Sequence, residues 1–353
     1  MKLNSLPRIR FAHLPTPLQE LPNLTKALKG PRIFVKRDDL TGLAFGGNKT
    51  RKLEYLMGEA VQQKADCIVI HAGFHSNWLT QAAAAARKVG MKIFMIKTGP
   101  HDGYEPEEYD GNHLLHFLTG AVMKVVRPEK VAAAVEETAA ELRVAGHRPF
   151  VLREMGSTPP GVAGYVNFIR ELDVQISKLG LDPKYLIHTT GAGGTQPGLI
   201  IGTKAFNTGI RVIGSTSGSR TTAEQTPKVL NLMKESLQYL EMDVKVGMED
   251  LVIYDNYADG YGYATEKKAE AVRMLAELEG LFLDPVYTAS SMACLIDLSR
   301  KGFFRKDEEV VFLHSGGSAA LFAYKEPLRA FIEGKKLPWT IPPWSPDSQK
   351  KVP

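Results

Sequence analysis

The chain has 353 residues, 44% hydrophobic and 24% charged, with 44 basic against 39 acidic side chains and a net charge of +5. That length buries a large core in one or two domains, and the composition is that of an ordinary soluble globular protein. The small, dispersed basic excess excludes a nucleic-acid-binding stripe, no apolar stretch is long enough to span a bilayer, and the two cysteines, each inside an apolar run, exclude a disulfide or zinc framework. No metal is expected. Pro7, Arg8 and Arg10 stand where a signal peptide needs an apolar run, so the expected location is cytoplasmic.

Short apolar runs alternate with helical patterns, which predicts a parallel α/β architecture. A strand over 33–36 precedes a helix over 50–63 that carries Leu53, Leu56, Met57, Ala60 and Val61 on one face. A strand over 67–71, a helix over 77–89 and strands over 92–96 and 122–126 follow. The pattern continues with a helix over 131–145, a strand over 150–153, a helix over 161–179 and a strand over 185–189. A helix over 195–206, a strand over 212–215, helices over 221–240, 265–279 and 291–301, and a strand over 309–314 complete it. The segment 334–353 is rich in proline, carries Trp339 and Trp344, and is expected outside the core.

Lys49 stands out, within Gly46-Gly47-Asn48-Lys49-Thr50-Arg51-Lys52 at the start of a helix. Two glycines allow close backbone approach at an entropic cost that ordinary loops avoid. A lysine so placed suits phosphate binding or Schiff-base formation. A surface helix start with a solvated lysine is the competing reading. A nucleotide-binding phosphate loop is disfavoured, because Asn48 occupies the position where that loop needs glycine.

Gly191-Ala192-Gly193-Gly194-Thr195 lies between a strand and a helix, where exposed N–H groups and the helix dipole favour an anion. The dinucleotide spacing fails at Gln196, so a phosphate monoester fits better than a pyrophosphate. A tight strand-to-helix turn is the plainer alternative. Gly73-Phe74-His75-Ser76-Asn77-Trp78 is a second such junction. Ser76 or Asn77 can be a helix cap, yet the loop also offers a hydroxyl, an amide and free N–H groups to a carboxylate or phenolate. His75 belongs to the type that titrates near neutral pH, although a loop histidine is more often a hydrogen-bond donor. Three further runs are candidates: Asp284-Pro285-Val286-Tyr287-Thr288, the tyrosine-rich stretch 255–263, and His314-Ser315-Gly316-Gly317-Ser318 at a strand's C-terminal end.

In this order the chain resembles the pyridoxal-phosphate enzymes of the tryptophan-synthase-β fold type, and within them the branch of D-cysteine desulfhydrase, 1-aminocyclopropane-1-carboxylate deaminase and L-cysteate sulfo-lyase. The resemblance covers roughly nine-tenths of the chain. It rests on Lys36-Arg37-Asp38-Asp39-Leu40, the run from Gly46 to Tyr55, Ser76-Asn77, Asp284 to Thr288, and His314 to Gly317. It implies a fold-type-II α/β protein with two open, twisted, mostly parallel sheets flanked by helices. A large cofactor-binding domain would comprise 1–48 and 165–335, a small α/β domain 49–164, and a tail 336–353. A homodimer, a small amino-acid substrate and no membrane or nucleic-acid partner are implied.

The resemblance assigns pyridoxal 5′-phosphate as cofactor. Lys49 would form the Schiff base; Lys52 and Gly191, Ala192, Gly193, Gly194 and Thr195 would hold the phosphate. Asn77 would bond the ring hydroxyl and Thr288 would face the pyridine nitrogen. Ser76 would receive or act on the substrate, flanked by His75, Asn77 and Trp78. Tyr261 and Tyr287 would assist proton transfer or polarise the leaving group. A hydroxyl at Thr288, where the deaminases carry glutamate, makes the ring a weaker electron sink. That favours β-elimination from a cysteine- or cysteate-like substrate to pyruvate, ammonia and sulfide or sulfite, with the freed Lys49 as base. A deaminase or racemase on the same scaffold is the alternative. A binder without turnover is disfavoured, since it has no need of proton-transfer groups. The residues before Ser76, Trp78 itself, and the run from Arg153 to Pro160 depart from the relatives, all near the expected substrate pocket.

Overall fold

The computed structural model describes residues 2–335 apart from 108, 219, 259, 261 and 262. The elements run β1 (Leu18–Glu20), α1 (Pro22–Leu28), β2 (Arg32–Arg37), α2 (Lys49–Gln62), β3 (Cys67–Gly73), α3 (Asn77–Lys88) and β4 (Lys92–Thr98). Then come α4 (Gly111–Leu118), β5 (Val122–Val126), α5 (Val131–Val144), β6 (Pro149–Leu152), α6 (Pro159–Leu179), β7 (Pro183–Thr190) and α7 (Gln196–Ala205). The last are β8 (Arg211–Thr216), α8 (Thr222–Leu240), β9 (Val252–Tyr254), α9 (Glu266–Glu279), α10 (Thr288–Arg300), β10 (Glu309–His314) and α11 (Lys325–Ile332).

Six strands form one sheet in the order β1-β2-β10-β7-β8-β9, and four form a second in the order β5-β4-β3-β6. Among the described strands β1 alone pairs antiparallel, with β2; the other strand pairings are parallel. Parallel strands need helical crossovers that cover both faces, which is why β3, β7 and β10 read as near-continuous apolar or β-branched runs. The larger sheet packs one face on α6, α7 and α8 through Tyr165, Ile169, Leu199 and Met233. Its other face meets α1, α9 and α10 through Leu24, Leu275 and Leu295. The smaller sheet is sandwiched by α2 and α3 on one side and α5 on the other. The predicted α/β class and its main strands and helices are therefore present.

The differences have physical causes. β1 and β9 have three residues each, too short to show a period. α4 inverts the usual pattern: Asn112, His113 and His116 are buried while Leu114, Phe117 and Leu118 are exposed. In α2 the expected apolar face holds for Leu53, Leu56, Met57 and Ala60, but Val61 is 45% exposed. Instead Arg51, Lys52 and Glu54 are buried, because the helix packs against α3 on one side and α6 on the other. Cys67 and Cys294 are free and buried, and burial pushes both thiols up, Cys67 to about 12. Among the described residues no helix is long and apolar enough to cross a membrane. Tyr261 and the tail from 336 lie outside the described residues.

Candidate active site

The carboxyl ends of β3, β7 and β10 meet the first turn of α2, as ligand sites in open parallel sheets do. They bound a cleft of about 620 Å³ lined by Asn48, Lys49, Lys52, Ser76, Asn77, Trp78, Met155, Thr189, Thr190, residues 191–195, Tyr287, Ser315 and Gly316. Among the described residues no acidic side chain lines it.

The glycines before Lys49 are dictated by crowding. Gly46 has φ 74°, and a Cβ there would fall 1.9 Å from the Asp39 carbonyl oxygen. Gly47 N–H donates to Thr41 Oγ1 at 2.8 Å, and Asn48 N–H to the Ser315 carbonyl at 2.9 Å. The chain thus enters α2 in one fixed direction, with Lys49 and Lys52 a turn apart. Burial, and secondarily the charge of Arg220, pushes the Lys49 amine down to about 8. Burial and then Lys49 itself hold Lys52 well below the usual lysine range. Among the described residues neither lysine has a hydrogen-bond or carboxylate partner. An uncompensated buried pair of amines is costly unless an anion or a carbonyl carbon takes it up.

The loop between β7 and α7 supplies the anion site. Gly193 has φ 92°, and a Cβ on Gly194 would fall 2.6 Å from the Ser157 Cα, so neither position tolerates a side chain. Thr195 Oγ1 accepts from Asn48 Nδ2 at 3.2 Å, which leaves its own O–H to donate. The Gly191 carbonyl is fixed by Gln225 Nε2 at 3.1 Å and by Arg220 Nη1.

Opposite, Ser76 is the N-cap of α3 and accepts from Trp78 N–H at 3.2 Å. The capping reading and the cleft reading both hold, since Ser76 also lines the cleft. Its carbonyl accepts from His116 Nε2–H at 3.2 Å, and the His75 carbonyl from Asn112 Nδ2 at 3.1 Å.

The structure brings together Lys49, Lys52, Ser76, Asn77, Trp78, Gly191, Ala192, Gly193, Gly194, Thr195 and Tyr287. Two expected residues are not among the cleft lining. His75 is buried beside Phe74 and Gly111, and burial, then Lys97 and His113, pushes it down to about 3. It is therefore neutral near pH 7, not a titrating loop histidine. Thr288 is fully buried at the start of α10, and its hydroxyl donates to Asp284 Oδ1 at 2.7 Å. Asp284 also accepts from the N–H groups of Val286, Tyr287 and Thr288, so this run serves first to build the turn that carries Tyr287. In the 255–263 stretch Tyr257 is plain packing, donating to Asp297.

Sequence reasoning places the run from Arg153 to Pro160 near the substrate pocket, and Met155 of that run lines the cleft, although it is not singled out there. Arg220 is missed. It carries no signal, because its proximity to Lys49 comes from β8 running beside β7.

A pair of depressed lysines facing a glycine-built helix start, with no carboxylate among the described residues to neutralise them, is the donor set that pyridoxal phosphate requires: an amine for its aldehyde and N–H and hydroxyl donors for its phosphate. The family of pyridoxal-phosphate dependent enzymes matches residues 9–316, and the chain belongs to it. A D-cysteine desulfhydrase of Klebsiella pneumoniae is 37% identical over 326 residues, 91% of this chain and 97% of that one. A Pyrococcus abyssi protein with the provisional name 1-aminocyclopropane-1-carboxylate deaminase is 36% identical over 327 residues, 92% of this chain and 96% of that one. A crystal structure of an ACC deaminase homologue superposes with a TM-score of 0.84 at 34% identity, covering 93% of this chain and 97% of the other.

Proposed function

We infer that the protein is a lyase catalysing β-elimination from a small sulfur-containing amino acid, giving pyruvate, ammonia and a sulfur product. The observation that carries this is the cleft lining, which among the described residues has two amines, several hydroxyls and no carboxylate. Bound pyridoxal phosphate supplies the electron sink for a carbanion at the substrate's α-carbon. Without an acid beside it the ring is a weaker sink. That is sufficient to expel a sulfur leaving group and insufficient to open an unactivated ring, so elimination is favoured over the deaminase reaction.

In this reading Lys49 holds the cofactor and, once released, moves the α-proton. An amine held near 8 is partly neutral at working pH and can accept that proton. Lys52 and residues 191–195 hold the phosphate, and Asn77 the ring hydroxyl. Ser76 and the N–H groups at the start of α3 receive the substrate carboxylate, and Tyr287 faces the leaving group, with Tyr261 as the expected second tyrosine. The two sheets would correspond to a large domain of 1–48 and 165–335 and a small domain of 49–164. The working form would be a cytoplasmic homodimer. Keto-acid release from D-cysteine, L-cysteine, L-cysteate and 1-aminocyclopropane-1-carboxylate tests the assignment. Pyruvate from a sulfur amino acid is expected, and 2-oxobutanoate from the cyclopropane at a comparable rate would overturn it.

A further inference from the structure

α4 turns its polar face inward, onto the loop that leads into α3. Leu114, Phe117 and Leu118 are exposed while Asn112, His113 and His116 are buried, so the helix forgoes apolar burial to place these three side chains. Each has a defined partner. Asn112 Nδ2 donates to the His75 carbonyl at 3.1 Å, and Asn112 Oδ1 accepts from Thr80 Oγ1 at 2.8 Å. His113 Nδ1 meets Lys97 Nζ at 2.5 Å, and that amine lies 3.7 Å over the Phe74 ring. His116 is fully buried, and its one side-chain hydrogen bond among the described residues is Nε2–H to the Ser76 carbonyl at 3.2 Å. Burial, and then the charge of Lys97, holds His116 well below the usual histidine range, so it is a neutral imidazole.

The Ser76 carbonyl shares its peptide with the Asn77 N–H. In a planar trans peptide the two groups point in opposite directions. A carbonyl held toward α4 therefore sends the Asn77 N–H to the far side, where Ser76 and Asn77 line the cleft. Ser76 Oγ takes the Trp78 N–H, whereas the Asn77 N–H has no acceptor among the described residues. The other bond to the Ser76 carbonyl, from Thr80 N–H, is long at 3.4 Å, so His116 supplies the firmer hold on this peptide. We propose that His116 is a positioning residue, fixing the Ser76–Asn77 peptide so that the Asn77 N–H meets the substrate carboxylate. This rests on the reading above in which the start of α3 receives that carboxylate.

The test measures binding of free glycine and of methylamine to the holoenzyme through the cofactor's absorbance. Neither has a leaving group, and they differ by the carboxylate alone. His116→Leu and His116→Asn both remove the donor, since the shorter Asn amide does not reach the Ser76 carbonyl. His116→Gln keeps an N–H near the Nε2 position. All three replace a neutral side chain by a neutral one, so a change in anion affinity is not a change in charge. In H116L and H116N the Kd for glycine is expected to rise roughly tenfold, while that for methylamine stays within about twofold of wild type. H116Q is expected to keep the glycine Kd within about threefold. A glycine Kd unmoved in both donor-less variants overturns the proposal. So does a parallel rise for both amines, which marks general loosening of the fold, or a loss in H116Q as large as in H116L. A wild type that binds glycine no better than methylamine removes the carboxylate site from the start of α3, and the proposal falls with it. Keto-acid release tests the elimination reading separately from either result.

Discussion

The first turn of α2 treats buried charge in two opposite ways. On one side Arg51 is 2% exposed and fully answered within the chain. It meets Asp38 at 2.8 Å and Glu171 at 2.9 Å, and stacks 5.0 Å over the Phe168 ring. Lys36 joins the same network at 2.5 Å from Glu171, and Tyr165 donates to Asp38 at 2.7 Å. On the other side Lys49 and Lys52 face the cleft with no partner among the described residues. Two residues of separation divide a cation whose counter-ions are protein from cations whose counter-ion must come from outside. Buried charge alone does not mark function; buried charge left unanswered does.

That contrast can be broken by substitution. Lys49→Ala is expected to lower turnover by roughly 1000-fold while leaving the melting temperature of the cofactor-free protein unchanged or higher, since it removes a poorly solvated amine. Steady-state kinetics and a thermal melt check the two halves, and normal turnover would remove Lys49 from the chemistry. Arg51→Ala is expected to do the reverse. It leaves Asp38 buried without its cation and Glu171 with Lys36 alone, a loss of about 3–5 kcal/mol in denaturant unfolding.

Titration sharpens the contrast. Although burial opposes it, the Arg51 and Lys36 partners hold Glu171 down at about 2, against an ordinary 4.5. A lowered carboxylate contributes stability above its unfolded value, and that stability is lost as pH falls from 4.5 toward about 2, an effect of roughly 3 kcal/mol. Lys49 works the other way. Its amine is destabilising while charged, so the cofactor-free protein gains stability as pH rises from about 8 to 10.5. Unfolding free energies measured across both windows are expected to show both slopes, with only the alkaline one abolished when pyridoxal phosphate is bound. An alkaline slope that persists in the loaded protein would mean that Lys49 is not the residue taken up.

Much of this was legible in the sequence. Gly46, Gly47 and Gly194 are there because a Cβ would collide and Gly193 because its backbone is left-handed, and that constraint shows in the letters. The apolar runs of β3, β7 and β10 likewise announce strands covered on both faces. What stayed hidden depends on the third dimension. His75 looks like a solvent-facing loop histidine until α4 covers it with a polar face, and nothing in the letters shows that the Thr288 hydroxyl donates to Asp284. Arg51 and Lys52 are one residue apart in the chain, and only the packing of α2 between α3 and α6 tells the paired cation from the unpaired one.

The two cysteines turn their burial into a clock. Thiol reagents attack the thiolate, and both Cys67 and Cys294 are enclosed and held protonated far above neutral pH. Modification therefore waits for the surrounding core to open. Cys67 lies in the smaller sheet, between its strands and α5, while Cys294 lies on α10 against the larger one. The chain thus carries one natural reporter in each half, and their separate labelling rates state whether the halves come apart together or in turn.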